Sequence, residues 1–269
     1  MGIFSASENR YERGTKMARV LFAVTGSRHW TLNDGTQHRC GYWPEELAVP
    51  HEVFAHAHID VDIATPGAVV PVPDEAGFSA EMNGGSEEPG ARFRAYLKTI
   101  SDDLDNPVDL NQVDPDDYDL VFVPGGHGPM EDLAASEAFG RLVVAFTEQH
   151  KPVSAVCHGP AALLPAVDED GWIFRGRRVT GFSNTEEEQV GLADKAPWLL
   201  EDRLRSAGGE FEQGPVPGRS TSWWTATFTR ARTRRRHGRW PNCWCRLCRQ
   251  RGSDRRRATI SSPRACAST

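Results

Sequence analysis

A cysteine followed directly by a histidine is the feature of this sequence best suited to chemistry. The pair, Cys157 and His158, lies in SAVCHGPAAL, between the strand-like run PVSAV and a helix-like run of small residues. Strand, nucleophile and helix in this order form an elbow that exposes a reactive side chain at a sheet edge. A helix start also lowers the pKa of a cysteine there. The sequence thus predicts a nucleophilic Cys157; the alternative is a buried structural cysteine beside an unrelated histidine.

Two further stretches add groups that a cysteine nucleophile needs. PGGHGPMEDL, at 124–133, follows a strong apolar run, and its glycines allow backbone N–H groups to approach an oxygen, as in an oxyanion hole. GYWPEELAVPHEVF, at 41–54, offers the carboxyl groups of Glu45 and Glu46 at the start of a helix. Taken alone, the first is an ordinary glycine-rich turn, and acidic residues are favoured in any first helical turn.

The elements that must position these residues alternate between strand and helix patterns. Strands are predicted at 19–25, 61–64, 119–123 and 152–156, with a further one beginning at 179, and helices at 45–58, 137–149, 158–164 and 196–206. Such alternation predicts an α/β fold with a parallel sheet and helices on both faces. Ligands of such sheets bind at the carboxyl ends of the strands. The acidic stretch 72–118 is expected to form an inserted loop or helix pair on the surface, which covers the site.

Composition separates the chain into unlike parts. The 269 residues carry a net charge of −6, yet residues 218–269 contain 14 arginines and one aspartate. Cys40 and Cys157 lie in the body, while the other four cysteines lie in the basic tail. Two cysteines in the body are typical of a cytoplasmic protein and not of a disulfide scaffold. We find no apolar run long enough for a membrane span and no secretory signal, and we expect residues 1–16 to be a disordered extension.

The motifs in combination resemble a known family. GYWPEELAVP, VFVPGGHGPMEDL, SAVCHGPAALL and VTGFSNTEEE, in this order, are similar to the ThiJ/PfpI superfamily, which has a class I glutamine amidotransferase-like fold. WTLNDGTQHRCGYWPEE resembles the branch that contains glutathione-independent glyoxalases and heat-shock chaperones. The resemblance covers residues 17–217 and implies a flavodoxin-like sandwich that forms a homodimer. It implies no metal and no cofactor.

The resemblance also implies a role for individual residues. Cys157 matches the nucleophile and His158 the adjacent histidine. Glu46, and less well its preceding neighbour, matches the carboxylate that hydrogen-bonds the thiol. The backbone N–H groups of Gly126 and His158 match the oxyanion hole. Glu187, one of three consecutive glutamates, matches the acid that completes a triad with the histidine.

These roles predict an enzyme that converts methylglyoxal, a small 2-oxoaldehyde, to lactate. The Cys157 thiolate would form a hemithioacetal with the aldehyde, and Glu46 would move a proton between the two carbonyl carbons. Protein deglycase and chaperone activities are further expectations of this branch. Two alternatives remain open: a cysteine peptidase or amidase, and a holdase chaperone or redox sensor in which the cysteine is oxidised without turnover.

The basic tail, 218–269, does not continue the domain pattern. We interpret it as the product of a reading-frame shift, and we expect it to be disordered because it is arginine-rich and short of aliphatic residues. Tryptophan has a single codon, which makes this interpretation testable from the protein sequence. If every codon is read one base earlier, residues 224 and 225 can only become Val and Asp. The same shifted frame permits the sequence TGQNPAS further on. Its arginines therefore do not indicate specific nucleic-acid binding. Its C-x-C-x-x-C pattern lacks a fourth ligand for zinc.

Overall fold

A mainly parallel sheet of six strands organises the protein, for which a computed structural model describes residues 18–213 and the backbone of 227–228. The strands, in chain order, are β1 (Arg19–Ala23), β2 (His29–Thr31), β3 (Gln37–Arg39), β4 (Asp60–Thr65), β5 (Val108–Asp109), β6 (Leu120–Val123), β7 (Val153–Ala155), β8 (Val167–Asp168), β9 (Gly171–Trp172), β10 (Arg178–Val179), β11 (Glu210–Phe211) and β12 (Thr227–Phe228). The central sheet has the order β12–β7–β6–β1–β4–β5, in which only β12 runs antiparallel.

Helices connect these strands, as expected for crossovers between parallel neighbours. The α-helices are α1 (Pro44–His56), α2 (Glu88–Thr99), α3 (Ser101–Asp105), α4 (Gly128–Glu131), α5 (Glu137–Glu148), α6 (Asn184–Gln189) and α7 (Leu200–Ser206). Short 3₁₀ helices occupy Pro66–Ala68, Glu75–Phe78, Leu110–Gln112, Pro115–Asp117, Leu133–Ala135 and Gly159–Leu163. None of the helices in the described part of the chain is long and apolar enough to cross a membrane.

The sheet has a separate hydrophobic cluster on each face. Side chains of a strand alternate between faces, and in β1 Leu21 and Ala23 enter one cluster while Val20 and Phe22 enter the other. The first cluster also contains the buried face of α5, and the second the buried faces of α1 and α2. Burial of both faces explains why the central strands are almost wholly apolar. The predicted α/β class, with a parallel sheet between helical layers, is confirmed.

Several elements differ from the sequence-based expectation. The segment after Cys157 is a five-residue 3₁₀ helix and not an α-helix. The helix expected at 196–206 begins only at Leu200, because the backbone of Leu199 is extended, with ψ of 140°. The stretch 72–118 does contain two helices, but its strand β5 also joins the sheet beside β4. The hairpin of β2 and β3 was not predicted.

The tail lies almost wholly outside the described residues. Within 218–269 the structure describes only the backbone of Thr227–Phe228, which pairs antiparallel with Val153 and Ser154 of β7. The expected disorder of this segment, its frame-shift origin and the extension at 1–16 therefore remain predictions.

Candidate active site

The turn after β7 places Cys157 in a strained backbone conformation. Its φ of 54° lies in the left-handed region, which residues other than glycine rarely adopt. The Gly159 N–H donates to the Val156 carbonyl oxygen at 2.7 Å and closes the turn. A Cβ on Gly159 would lie 2.6 Å from the carbonyl oxygen of Val123 in the neighbouring strand. The small residues seen in the sequence thus permit the tight elbow, and Cys157 as a whole residue is partly exposed.

Glu46 of α1 lies against this thiol. Its carboxyl group is buried, shares a hydrogen bond with Cys157 and accepts the Gly125 N–H at 2.8 Å. The neighbouring Glu45 is exposed. Of the two carboxyl groups that the sequence offered at the start of α1, that of Glu46 is therefore the one that reaches the thiol. Gly125 fills the space between acid and thiol: a Cβ there would lie 2.6 Å from the Cys157 Cβ and 2.7 Å from Glu46 Oε2. Glycine at 125 is therefore a condition for the contact.

Burial keeps both members of this pair protonated at neutral pH. Removal from water raises the pKa of Glu46 to about 8, although the Gly125 and Cys157 hydrogen bonds oppose the change. Burial, followed by the adjacent Glu46 charge, also raises the pKa of the Cys157 thiol well above its ordinary value. The expectation that the helix start lowers this pKa is wrong for the free protein, because burial outweighs the backbone dipoles. The two groups titrate as one coupled pair.

Two backbone N–H groups point to the Cys157 sulfur, and they are those of Gly126 and His158. These are the donors that the sequence assigned to an oxyanion hole. Gly126 has a φ of 85°, and a Cβ on it would lie 2.4 Å from the Gly41 carbonyl oxygen, so only glycine fits there. Two amides converging on one point are arranged to stabilise negative charge on the sulfur or on an oxygen bound beside it.

The histidine of the pair connects the thiol to Glu187. His158 Nδ1 lies 3.4 Å from Cys157 Sγ, and its Nε2 lies 2.8 Å from Glu187 Oε2. The SNTE sequence explains which of the three glutamates takes this position. Ser183 and Glu186 form a capping box at the start of α6, so Glu186 is used at the helix end and the following residue, Glu187, faces inward.

Sequence reasoning missed a second histidine at this carboxylate. His127, from the glycine-rich loop after β6, places its Nε2 3.0 Å from Glu187 Oε1. The two histidine hydrogen bonds lower the pKa of Glu187 far below its ordinary value although burial opposes this. Since an ionised carboxylate only accepts hydrogen bonds, both Nε2 atoms carry a proton, and Nδ1 is the nitrogen of His158 that faces the thiol. The signal was present in the sequence as the histidine of PGGHG.

Aromatic rings hold the two imidazoles in place. Phe182 stacks on the His158 ring with centroids 4.1 Å apart, and Trp30 of β2 stacks on the His127 ring at 5.2 Å. His38 of β3 meets the edge of the His127 ring at 5.6 Å. The unpredicted hairpin therefore contributes a wall of the site.

Among the described residues, one group has the composition of a metal site. Ligand atoms of His127, His158 and Glu187 lie within 4.8 Å of one another. Two imidazoles and a carboxylate are common transition-metal ligands. Here, however, each imidazole Nε2–H already donates to its own carboxylate oxygen, so the three groups satisfy one another without an ion.

Comparison with known proteins places this arrangement in a family. Residues 41–199, which contain the elbow, Glu46 and Glu187, match the DJ-1/PfpI family. The chain belongs to the DJ-1/PfpI family. The resemblance to the ThiJ/PfpI superfamily that the sequence motifs suggested is thereby confirmed.

Several curated proteins similar to this chain are named as glyoxalases or as a deglycase. Glyoxalase 3 of Candida albicans is 27% identical over 182 residues, which cover 66% of this chain and 74% of that protein. Protein/nucleic acid deglycase HchA of Pseudomonas aeruginosa is 30% identical over 210 residues, 74% of this chain and 71% of that one. A probable glutathione-independent glyoxalase of Schizosaccharomyces pombe is 29% identical over 202 residues, 64% of this chain and 76% of that one.

Solved structures show the same fold. The Rapid Encystment Protein 24 kDa of Francisella tularensis has a TM-score of 0.63 at 31% identity, covering 74% of this chain and 85% of that one. Glyoxalase III of Candida albicans also has a TM-score of 0.63, at 23% identity, covering 75% of this chain and 84% of that one. This chain therefore has the sequence and fold of an enzyme of the DJ-1/PfpI family.

Proposed function

We propose that this protein is a glutathione-independent glyoxalase, a lyase that converts methylglyoxal and similar small 2-oxoaldehydes to 2-hydroxy acids. The contact between the Cys157 thiol and the Glu46 carboxyl group carries the proposal. A base for a carbon-bound proton works best when its pKa lies near the operating pH, and burial gives Glu46 a pKa of about 8. A nucleophile and such a base in contact can act on two adjacent carbonyl carbons.

In the first step the thiol adds to the aldehyde carbon. Cys157 passes its proton to His158 Nδ1 as the sulfur attacks, and protonated Glu46 gives its proton to the aldehyde oxygen. The product is a hemithioacetal, with Glu46 ionised and His158 charged. Glu187 stabilises that imidazolium through the 2.8 Å hydrogen bond to its Nε2.

The hydrogen on the first carbon then moves to the second. Glu46 removes it, and the ketone oxygen takes the proton of His158, which gives an enediol. Glu46 returns its proton to the second carbon while His158 accepts the proton of the first hydroxyl group. The result is a lactoyl thioester on Cys157, with negative charge on its oxygen stabilised by the backbone N–H groups of Gly126 and His158 during the transfer.

Water completes the cycle by hydrolysing the thioester. Ionised Glu46 accepts a proton from the attacking water, and the leaving sulfur takes the proton from His158. Lactic acid is released, and Cys157, His158 and Glu46 regain their starting protonation states. The balance is one methylglyoxal and one water for one lactic acid, with no glutathione consumed.

Lactate formation from methylglyoxal in the absence of glutathione tests the proposal. We expect turnover by the parent chain and none by Cys157→Ala. Cys40→Ala is the matched control, because Cys40 is the other cysteine of the described residues and the hydrogen bonds to Glu46 and His158 belong to Cys157. In D₂O, exchange on Glu46 would place deuterium on the second carbon of lactate, and Glu46→Gln would remove both product and label. Full activity in Cys157→Ala would refute the mechanism.

The same assay addresses the tail and the alternatives. A chain with the reading frame after residue 217 restored is compared with the parent chain, because a frame shift would remove elements that support the domain. If the restored chain folds but forms no lactate from methylglyoxal, the glyoxalase proposal fails. A peptidase or amidase would then be sought with peptide and amide substrates, and a holdase by client protection that survives Cys157→Ala.

Deglycation is a second candidate because the Pseudomonas aeruginosa relative, at 30% identity, carries that name. A hemithioacetal or aminocarbinol formed between methylglyoxal and a protein side chain offers the same two carbons to Cys157 and Glu46. Release of lactate from preformed adducts, faster than the adducts release free methylglyoxal, would support it.

A further inference from the structure

His127 lies in the candidate active site, but the proposed mechanism gives it no role as nucleophile, as base or as a member of the Cys157–His158–Glu187 triad. It belongs to the loop between β6 and α4, directly after Gly126, whose N–H points to the sulfur. Its own hydrogen bond, however, goes to Glu187 and not to the sulfur. The ring is mostly buried between Trp30 and His158, whose centroids lie 5.2 Å and 4.2 Å away.

The hydrogen bond from His127 completes the hydrogen bonding of Glu187. The carboxylate has two oxygens, and each accepts from one imidazole: Oε2 from His158 and Oε1 from His127. A carboxylate held at one oxygen only can rotate, whereas one held at both has a fixed plane. The His158 ring that it orients is then fixed as well, with Nδ1 directed at Cys157.

We propose that His127 is a positioning residue, which acts through Glu187 to hold His158 in the tautomer and orientation that accept the Cys157 proton. The inference rests on the proposed role of Cys157 as the nucleophile. It does not depend on which substrate the thiol attacks. His127 need not touch the substrate to have this effect.

The charges around His127 agree with this role. Burial, followed by the neighbouring His158, lowers the pKa of His127, so its ring is neutral and donates a single Nε2–H proton. Glu187 on α6 and Asp74 in the segment before α2 face it with negative charge, and His38 of β3 lies at its edge. Among the influences that lower the pKa of Glu187, the hydrogen bond from His127 is the largest, although burial opposes them.

Two substitutions separate the N–H group from the ring. His127→Phe keeps an aromatic ring against Trp30 and His158 but donates no hydrogen bond. His127→Gln loses the ring but can present an amide N–H to Glu187. His56→Phe, at an exposed position near the end of α1, controls for the general effect of exchanging histidine for phenylalanine.

The reactivity of the Cys157 thiol can be measured without any substrate by its rate of alkylation with iodoacetamide at a series of pH values. Mass spectrometry of the peptide that contains Cys157 follows the reaction. We expect roughly ten-fold slower alkylation at pH 7 for His127→Phe, the scale of a lost hydrogen bond to a charged group. The slowing should persist across the pH range in which Cys157 loses its proton, because a His158 ring that Glu187 no longer fixes accepts that proton less readily. His127→Gln and the control should follow the parent profile. Thermal unfolding of each variant verifies that it is folded.

Two results would overturn the inference: a parent-like profile for His127→Phe, or equal changes in the phenylalanine and glutamine variants, which would assign the effect to the ring. The test separates this inference from the proposed function. If the alkylation pattern is as expected but no chain forms lactate, only the glyoxalase proposal fails. If lactate forms and His127→Phe keeps the parent kcat and alkylation profile, only the positioning role fails.

Discussion

Replacing Glu46 by glutamine should stabilise the protein at neutral pH while it abolishes the chemistry. The carboxyl pKa rises from an ordinary 4.5 to about 8 on folding. Between these values the unfolded chain is ionised at this position and the folded protein is not. The folded state therefore binds one proton more, and stability falls as pH rises through this interval. Glutamine has nearly the same shape and no charge to bury, so it removes this pH-dependent loss.

The size of the effect follows from the pKa difference. With about 1.4 kcal/mol for each pKa unit, the raised pKa of Glu46 costs about 1 kcal/mol at pH 5 and about 3 kcal/mol at pH 7. The free energy of unfolding of Glu46→Gln should thus exceed that of the parent by about 2 kcal/mol more at pH 7 than at pH 5. Because burial is the largest cause of the shift, the gain does not require Cys157, and it should persist in a Cys157→Ala background.

Urea denaturation at the two pH values measures this difference. Glu188→Gln, on the exposed side of α6, is the matched control for the same substitution without burial. A variant-minus-parent difference that is the same at both pH values, or that is smaller at pH 7, would show that Glu46 is not a buried acid with a raised pKa. The assignment of Glu46 as the proton-transferring base would then lose its physical basis.

Further predictions concern the groups around this pair. Gly125→Ala should lower stability by about 1–3 kcal/mol and abolish lactate formation, because its Cβ would lie 2.6 Å from that of Cys157; unchanged denaturation midpoint and rate would contradict the close approach. Glu187→Gln should be less stable than the parent at pH 7, because the lowered pKa of Glu187 stabilises the fold while the carboxylate is ionised. The difference should shrink steadily as pH falls below the ordinary glutamate pKa, and it should vanish only below the lowered pKa of the folded protein; a difference that is constant with pH in urea titrations would refute this. Phe182→Ala should destabilise the fold by about 3–5 kcal/mol and raise the mobility of the His158 ring that it stacks on, which imidazole NMR line widths would detect; unchanged line widths would contradict the packing role.

Much of the architecture could be predicted from local patterns. Strands β1, β6 and β7 consist mostly of apolar residues, and helix α5 repeats its buried residues at helical spacing, so each segment can be recognised from its own sequence. The hairpin of β2 and β3 carries little such signal, because its strands have three residues each and are partly polar. The strand β5 is similarly too short to recognise, and its place in the sheet depends on pairing with β4.

For the site, the sequence by itself determined the elbow, its glycines and the candidate residues, because strand-to-turn order and residue size are local properties. It named Cys157, His158, Glu46, Gly126 and Glu187 through the motifs. Only the tertiary structure decided that the thiol and acid are held protonated, since desolvation depends on packing from elements far apart in the chain. It alone brought His127 to the carboxylate of Glu187, a contact across 60 residues of sequence. Burial and long-range contacts set the protonation states of these side chains. Neither can be predicted from the sequence, because neither follows from a local motif or from the spacing of apolar residues.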